Sequence, residues 1–326
     1  MTAREGLALR MLFMGTGVAA RTHSRTLVRR HPHVERRYLG RSVERAEALA
    51  RACGGSAYVG GWRAALDDPG LDVVVITTPP VTHLALTLEA LKAGKDVIVE
   101  KPAFLLPSDF DLVEAEAARA GRHVLVAENY HYKPLARSLR QIILGDELGQ
   151  IRIIEINAVK LQRVDGWRLD PEVSGGGALF EGGIHWVSLM ANLGLHVERV
   201  HALFPGAPAP HERSVVFTVQ YAQGAVGVLT YSWEIPSTLR GLRLSRIWGT
   251  NGSVLFESNG LFGVRTGGVP RLFLPGWADI QGYQAMMADF MRCIVTRQAP
   301  AYTLQAARHD VELVRAAYAA SARFTL

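Results

Sequence analysis

Between residues 10 and 130, short apolar segments alternate regularly with segments of helical composition. The predicted strands are RMLFM, residues 34–39, LDVVVITTPP, DVIVEKP and HVLVAENY, and helical stretches of about 10–15 residues alternate with them. This alternation is typical of a parallel, doubly wound sheet with helices on both faces. We therefore predict an α/β fold that begins with a Rossmann-type domain over residues 1–130.

The pattern changes after residue 130. From about residue 197 to 274 only strand patterns occur, and their turns carry the signals QG, TNG and SNG. Other predicted elements are a strand at 151–163 and helices at 182–193, 279–297 and 303–321. The sequence thus predicts a second α/β domain, residues 131–326, with a large, mostly antiparallel open sheet. The closing helix 303–321 is a candidate to pack back on the first domain.

Composition narrows the class of protein. The chain has 326 residues, of which 48% are hydrophobic and 20% charged, as expected for a globular protein of two domains. No apolar run reaches the roughly 18 residues that a membrane span needs. The two cysteines, Cys53 and Cys293, are far apart and have no metal-ligand spacing. We expect no disulfide framework, no metal site, no membrane partner and a cytoplasmic location.

The net charge of +6 is concentrated near the N-terminus, where residues 1–50 hold ten arginines and four acidic residues. Nucleic-acid binding is one interpretation of such an excess. The arginines are scattered and are not clustered with aromatic residues, which favours a solvated helix face. We expect no nucleic-acid partner.

A glycine loop follows the first predicted strand and opens a helix. It comprises Gly15, Thr16, Gly17, Val18, Ala19 and Ala20, and it matches the dinucleotide fingerprint G-x-G-x-x-G/A. Gly15 would permit the tight turn, and Gly17 would let the backbone approach a pyrophosphate. The N–H groups at the helix N-terminus would face the anion. The loop predicts dinucleotide binding.

The end of the second predicted strand bears on the choice of cofactor. An NAD-preferring site usually has Asp or Glu there, which accepts from the ribose 2′-OH. Here the chain reads Gly40, Arg41, Ser42. An arginine and a hydroxyl suit a 2′-phosphate and favour NADP over NAD. The alternative is a surface arginine beside a helix cap.

The stretch GGGALFEGGIHW, residues 175–186, places Glu181 four residues before His185. Residues at this spacing share one face of a helix. The carboxylate could orient the imidazole or hold a substrate hydroxyl, and the glycines would let the backbone approach a ligand or a neighbouring strand. A structural histidine is the alternative interpretation.

These motifs, together with TTPPVTHLALTLEALKAGKDVIVEKP and YTLQAARHDVELVRAAYAASA, resemble the Gfo/Idh/MocA family of glucose–fructose oxidoreductase and inositol dehydrogenase type. The resemblance implies a Rossmann domain, an open-sheet domain, homodimers or homotetramers built through that sheet, and hydride transfer between a nicotinamide and a hydroxyl or carbonyl carbon. It implies that Lys101 contacts the reacting oxygen and that His185 is catalytic. It further implies an unusual peptide geometry at Pro102. The residues that it places near the cofactor are Thr78, Pro79, His83 and Glu100, with Lys101 beside them.

Two positions depart from the family pattern. Glu181 stands where the family most often has Asp, and His131 stands where many relatives carry Arg. Candidate substrate contacts are Tyr130 and, in the loop DGWRLDPEVSGGG, Trp167 and Arg168.

Oxidation of an alcohol by hydride loss requires a base for the O–H proton, and a histidine has a suitable pKa. A lysine at the end of a parallel strand can stabilise charge on the oxygen. Our hypothesis is an NAD(P)-dependent dehydrogenase or reductase acting on a sugar, a polyol or a related small molecule. The alternative is a non-catalytic, cofactor-binding regulator of the same fold. The retention of both Lys101 and His185 favours the enzyme.

Overall fold

The computed structural model describes residues 9–237 and 241–321. The chain separates into two compact units. The first unit runs to Glu128 and takes in Tyr283–Arg308, and the second comprises Asn129–Gly282 and resumes at His309. Within the described residues, every helix is too short or too polar to cross a membrane.

A six-stranded parallel sheet forms the centre of the first unit. Its strands are β1 (Arg10–Met14), β2 (Glu35–Leu39), β3 (Ser56–Ala57), β4 (Val73–Ile76), β5 (Asp96–Glu100) and β6 (Val124–Ala127). They lie in the order β3-β2-β1-β4-β5-β6. All four residues of β4 are buried, as expected for a sheet that is covered on both faces. The predicted doubly wound sheet is confirmed.

Helices alternate with these strands and continue into the second unit. In chain order they are α1 (Val18–Arg30), α2 (Val43–Cys53), α3 (Trp62–Leu66), α4 (His83–Lys92), α5 (Pro107–Ala120), α6 (Asn129–Tyr132), α7 (Pro134–Leu144), α8 (Pro171–Ser174), α9 (Ile184–Ala191), α10 (Tyr283–Thr296) and α11 (Leu304–Ser321). Local signals set several of their ends. The Ser42 hydroxyl accepts from the Arg45 N–H at the start of α2, and Gly54, with φ of 72°, ends that helix.

The second unit contains an eight-stranded sheet. Its strands are β7 (Ile151–Val159), β8 (Val197–Leu203), β9 (Ser214–Tyr221), β10 (Val226–Ser232), β11 (Leu244–Gly249), β12 (Ser253–Glu257), β13 (Gly263–Thr266) and β14 (Arg271–Phe273), in the order β14-β13-β12-β11-β7-β10-β9-β8. All neighbours are antiparallel except β7 and β10, which run parallel. The predicted, mostly antiparallel sheet is confirmed. Its inner face buries Ile154, Ile156 and Ala158 completely.

The structure corrects two predicted boundaries. The helix predicted at 182–193 begins earlier, with a π-helical turn at Leu179–Gly183 that leads into α9. The strand predicted at 151–163 ends at Val159, which pairs with Ser232, the last residue of its parallel neighbour β10. The π-turn matters most for function, because turns of this type occur frequently at functional sites.

Candidate active site

The glycine loop of the first unit presents an uncapped helix N-terminus. Gly17 is the N-cap residue of α1, it makes no side-chain cap, and the first helical turn contains no acidic residue. Val18, the first residue of the helix, is 77% exposed. The N–H groups of such a turn lack partners within the helix and carry a partial positive charge. This end of α1 can therefore bind an anion.

The two glycines of the loop differ in their surroundings. Gly15 has φ of 109°, and a Cβ there would lie 2.7 Å from the Thr77 hydroxyl at the end of β4. Gly15 is thus required by the turn and by packing. At Gly17, by contrast, a Cβ would meet no atom within 4 Å. The space above Gly17 fits the close approach of a dinucleotide pyrophosphate to the backbone.

The segment at the end of β2 lies beside this loop. A Cβ at Gly40 would lie 2.8 Å from the Thr16 side chain, which shows that Gly40 packs against the glycine loop. Arg41 is the next residue and therefore also lies near this loop. Arg41 is exposed. The Ser42 hydroxyl is already used to cap α2, where it lies 3.4 Å from the Arg45 nitrogen. Of the two predicted residues, Arg41 is therefore better placed for an anionic ligand.

His83 joins the ends of β4 and β5. Its Nε2 atom lies 2.8 Å from the carbonyl oxygen of Thr78, and its Nδ1 atom lies 3.0 Å from that of Pro102. The ring is completely buried, and burial lowers the pKa of His83. Because both ring nitrogens face main-chain carbonyls, His83 holds the loop around Thr78 and does not present its ring to solvent. Pro79, the next loop residue, is partly exposed.

Glu100 and Lys101 lie at the carboxyl end of β5, just before Pro102. The Glu100 carboxylate lies 2.5 Å from Nε2 of His23, a buried residue of α1, and it also accepts from the Lys101 N–H at 3.1 Å. The Lys101–Pro102 peptide bond is cis, which is the unusual geometry expected there. Lys101 itself is partly exposed. The contact between His23 and Glu100 was not predicted from the sequence.

In the second unit, the ring of His185 stacks on that of Tyr130. The ring centroids are 4.4 Å apart and the planes differ by 14°. Tyr130 also meets Trp186 edge to face, and the Lys133 ammonium lies 4.1 Å from the Tyr130 centroid. Lys133 and Trp186 are buried. These contacts fix the plane of the imidazole. Lys133 was not predicted, although its spacing of three residues from Tyr130 is the spacing of neighbours on a helix.

Glu181 lies on the π-turn and pairs with Arg168. The Arg168 Nε atom donates to the carboxylate at 2.9 Å, and its guanidinium lies 4.5 Å from the Trp167 ring. Thus the predicted substrate residues Trp167 and Arg168 belong to one cluster with Glu181. Tyr231 of β10 also belongs to this cluster. Its hydroxyl lies against Gly182, where a Cβ would overlap it, and burial together with the Glu181 charge raises the pKa of Tyr231. Tyr231 was missed, since it lies fifty positions after Glu181 in the sequence.

Two family models match consecutive parts of the chain. The model described as "Oxidoreductase family, NAD-binding Rossmann fold" matches residues 9–128, and that of the "GFO/IDH/MocA C-terminal domain" matches residues 136–255. The chain belongs to the Gfo/Idh/MocA family. The predicted family is confirmed, and the first unit is a Rossmann domain of the NAD-binding type.

Curated Gfo/Idh/MocA relatives include enzymes that act on small molecules. The chain is 27% identical to the uncharacterized oxidoreductase YfiI of Bacillus subtilis over 57% of this chain and 51% of that protein. It is 26% identical to trans-1,2-dihydrobenzene-1,2-diol dehydrogenase of Sus scrofa, over 69% of this chain and 68% of the relative. The match to the first of these relatives spans about half of that protein's length.

Solved structures of the family share the whole fold. Levoglucosan dehydrogenase, in complex with NADH and levoglucosan, superposes with a TM-score of 0.85 at 20% sequence identity, over 98% of each chain. At this identity the likeness concerns the fold. Within the described residues, no group of three or more His, Cys, Asp or Glu side chains is arranged to hold a metal ion.

Proposed function

We propose that this protein is an NAD(P)-dependent oxidoreductase that acts on the CH–OH group, or the corresponding carbonyl, of a sugar, a polyol or a related small molecule. The observation that carries the proposal is that this family member keeps both Lys101 and His185 together with an intact glycine loop. The main chain of Lys101 is bonded to Glu100, and the His185 ring stacks on Tyr130. The named relatives are oxidoreductases and dehydrogenases, which gives the non-catalytic alternative no support.

The cofactor would be held by the first unit. The backbone from Gly15 to Ala19 binds the pyrophosphate at the uncapped end of α1, while Thr78 and Pro79 line the dinucleotide and Glu100 meets a ribose. His83 acts through the carbonyl of Thr78 and not by direct contact. A bound nicotinamide supplies or removes the hydride.

Residues of this chain would transfer the proton and stabilise charge on the substrate oxygen. His185 takes the hydroxyl proton in oxidation and returns it in reduction, and the stacked Tyr130 ring keeps its imidazole in one plane. Lys101 stabilises negative charge as it develops on the oxygen. Glu181 and Arg168, with Trp167 beneath the guanidinium, hold other hydroxyl groups of the substrate. Glu181 thereby substitutes for the Asp that is more frequent in the family.

We further propose NADP as the preferred cofactor, with NAD as the alternative. Arg41 is exposed beside the glycine loop, and no carboxylate stands at the end of β2 to meet a ribose 2′-OH. A guanidinium in that place suits a 2′-phosphate, which it can bind through two parallel hydrogen bonds.

The outer face of the second sheet is proposed as a contact between copies of the chain, in a homodimer or homotetramer. Ile153 of β7 is 49% exposed, and its register neighbours are Val226, 43% exposed, on β10 and Trp248 on β11. Side chains in register on adjacent strands lie on the same face. These three residues form an apolar patch across the middle of the sheet. Both cysteines are free and buried, which is compatible with the reducing cytoplasm that we propose as the location.

The proposal is tested by mixing the purified protein with NADPH or NADH and following binding by fluorescence. Turnover is then screened by absorbance at 340 nm, with sugars and polyols in the presence of NADP+ or NAD+ and with carbonyl compounds in the presence of NADPH or NADH. Lys101→Ala and His185→Asn should bind cofactor but lose on the order of 10²-fold or more in kcat. Lys92→Ala, at an exposed lysine that ends α4, is the control and should retain full activity. Cofactor binding with no turnover of any compound would favour the regulator instead.

A further inference from the structure

A fully buried carboxyl group lies against the glycine run at 175–177 and has no part in the roles proposed above. It belongs to Glu212, in the connection that leads into β9, and none of the residue is exposed. A buried acidic residue is unusual unless its oxygen atoms are hydrogen-bonded. The partners of Glu212 therefore indicate what it does.

Glu212 binds the start of the π-turn through both its side chain and its main chain. Its Oε1 atom accepts from the Leu179 N–H at 3.0 Å, and its main-chain carbonyl accepts from the Ala178 N–H at 2.8 Å. These N–H groups open a helical segment, where intrahelical partners are lacking. Burial raises the pKa of the Glu212 carboxyl group, and the hydrogen bonds from Leu179 and Tyr318 act in the opposite direction. Glu212 thus caps the π-turn from a distant part of the chain.

Further contacts hold Glu212 itself in place. The Tyr318 hydroxyl of α11 donates to Oε1 at 2.8 Å. A Cβ on Gly177 would lie 2.5 Å from the carboxyl carbon, so glycine is the residue that lets the carboxyl group approach. A Cβ on Gly176 would lie 2.8 Å from the Tyr318 hydroxyl. These glycines serve contacts within the second unit. The sequence predicted an approach to a ligand or to a neighbouring strand, whereas the residues that lie against these two glycines include Glu212 of a connection and Tyr318 of a helix.

The chain from this cap to the proposed catalytic residues is short. Glu181 follows Leu179 by two positions and donates its own N–H to the carbonyl of Gly177 at 3.0 Å. His185 follows in the first turn of α9. A shift of the capped residues would therefore move the Glu181 carboxylate and the His185 ring together.

We propose that Glu212 is a positioning residue that sets the π-turn and, through it, the placement of Glu181 and His185. This inference rests on the proposed function. The carboxyl group contacts the Leu179 N–H and the Tyr318 hydroxyl, and it acts on catalysis only through the turn. A displacement of about 1 Å at a reacting group can cost on the order of 10²-fold in rate, so the loss of the cap should reach kcat.

The test compares Glu212→Ala and Glu212→Gln with Glu257→Gln. Glu257 is an equally buried carboxyl group of the second unit, on β12, whose side-chain partners are Asn259 and Leu261. Glu212→Ala should lower kcat on the order of 10²-fold while the Kd for cofactor stays within about twofold. Glu212→Gln should recover most of kcat, because its amide oxygen can still accept from Leu179 and Tyr318. Glu257→Gln should leave kcat unchanged.

Amide hydrogen exchange provides a readout that does not depend on turnover. Glu212→Ala should remove protection at Leu179, whose N–H is bonded to the carboxyl group, and Glu257→Gln should not. If Glu212→Ala does not fold, Glu212→Asp, which is one methylene too short to reach Leu179, should show the same loss of kcat and of protection. An active wild-type protein whose Glu212→Ala and Glu212→Asp variants keep full kcat would overturn this inference alone. A wild-type protein that binds cofactor and turns nothing over would instead contradict the proposed function.

Discussion

At the scale of the residue, one structural contact decides which of the neighbours Arg41 and Ser42 is available to bind a cofactor phosphate. The sequence presented both as candidates for a 2′-phosphate. The Ser42 hydroxyl caps α2, whereas the Arg41 side chain is exposed beside the glycine loop. The proposed cofactor preference therefore depends mainly on Arg41.

We expect Arg41→Ala to weaken NADPH binding about tenfold or more and to leave NADH binding within about twofold, because a charge-assisted hydrogen bond contributes about 1.5–3 kcal/mol. Fluorescence titration with each cofactor measures both Kd values. Arg45→Ala, at an exposed arginine in the first turn of α2, is the control and should change neither. An equal loss for both cofactors, or a wild-type preference for NADH, would contradict the assignment.

His83 gives the first unit a pH dependence of stability. Burial lowers its pKa in the folded protein below the ordinary 6.5, so the unfolded chain takes up a proton more readily. The stability that it contributes is present above about pH 6.5 and is lost as the pH falls through the folded pKa. We expect the difference in unfolding free energy between wild type and His83→Gln to shrink between pH 7.5 and 5.5. Urea denaturation at the two pH values measures it, and a constant difference would contradict the expectation.

At the scale of the element, two glycines of the glycine loop have different roles: Gly15 is required for packing, and Gly17 is proposed to serve cofactor binding. Gly15→Ala would introduce a methyl group 2.7 Å from the Thr77 hydroxyl at a positive φ, and it should destabilise the protein by about 1–3 kcal/mol. Gly17→Ala meets open space and should change stability by only about 0.5 kcal/mol. It should nevertheless weaken cofactor binding on the order of tenfold, or about 1.4 kcal/mol, because the methyl group occupies the pyrophosphate's place.

Thermal unfolding and cofactor titration of the two variants distinguish these effects. Our assignment predicts a lowered Tm for Gly15→Ala and a raised cofactor Kd at nearly unchanged Tm for Gly17→Ala. Tight cofactor binding by Gly17→Ala would exclude the loop as the pyrophosphate site.

Elements whose signals are local were predictable from the sequence. The apolar run of β4 and the cap residues Ser42 and Gly54 lie within the segments that they define, so pattern and structure agree. The π-turn at Leu179–Gly183 was not predictable, because its cap, Glu212, comes from a connection more than thirty positions later. Tyr231 was missed for the same physical reason, since it lies fifty positions after Glu181 in the sequence, whereas Lys133 was missed although it lies only three positions from Tyr130. Their roles depend on neighbours that only the folded sheet and helices bring together.

At the scale of the whole molecule, the division into domains at residue 130 and the assembly of copies remain proposals. The apolar patch formed by Ile153, Val226 and Trp248 is the proposed contact. We expect Ile153→Glu to shift the protein to a smaller species in light scattering coupled to size exclusion, because a buried, unpaired carboxylate opposes association. Val269→Glu, at an 81% exposed loop residue, should leave the mass unchanged. A wild-type monomer, or an Ile153→Glu variant of unchanged mass, would contradict this contact.

The parallel pairing of β7 with β10 has a consequence for biosynthesis. Both neighbours of β7 lie later in the chain: Ile153 pairs with Val226, 73 positions on (226 − 153), and with Trp248, 95 positions on (248 − 153). At about 5–20 residues per second, a ribosome needs roughly 4–15 s to add the first 73. Throughout that interval the isoleucine-rich β7 has been synthesised before both of its partner strands, and an unpaired apolar edge invites association with other chains once it is outside the ribosome. The nascent protein therefore most needs chaperone protection between the emergence of β7 from the ribosome and the emergence of β10.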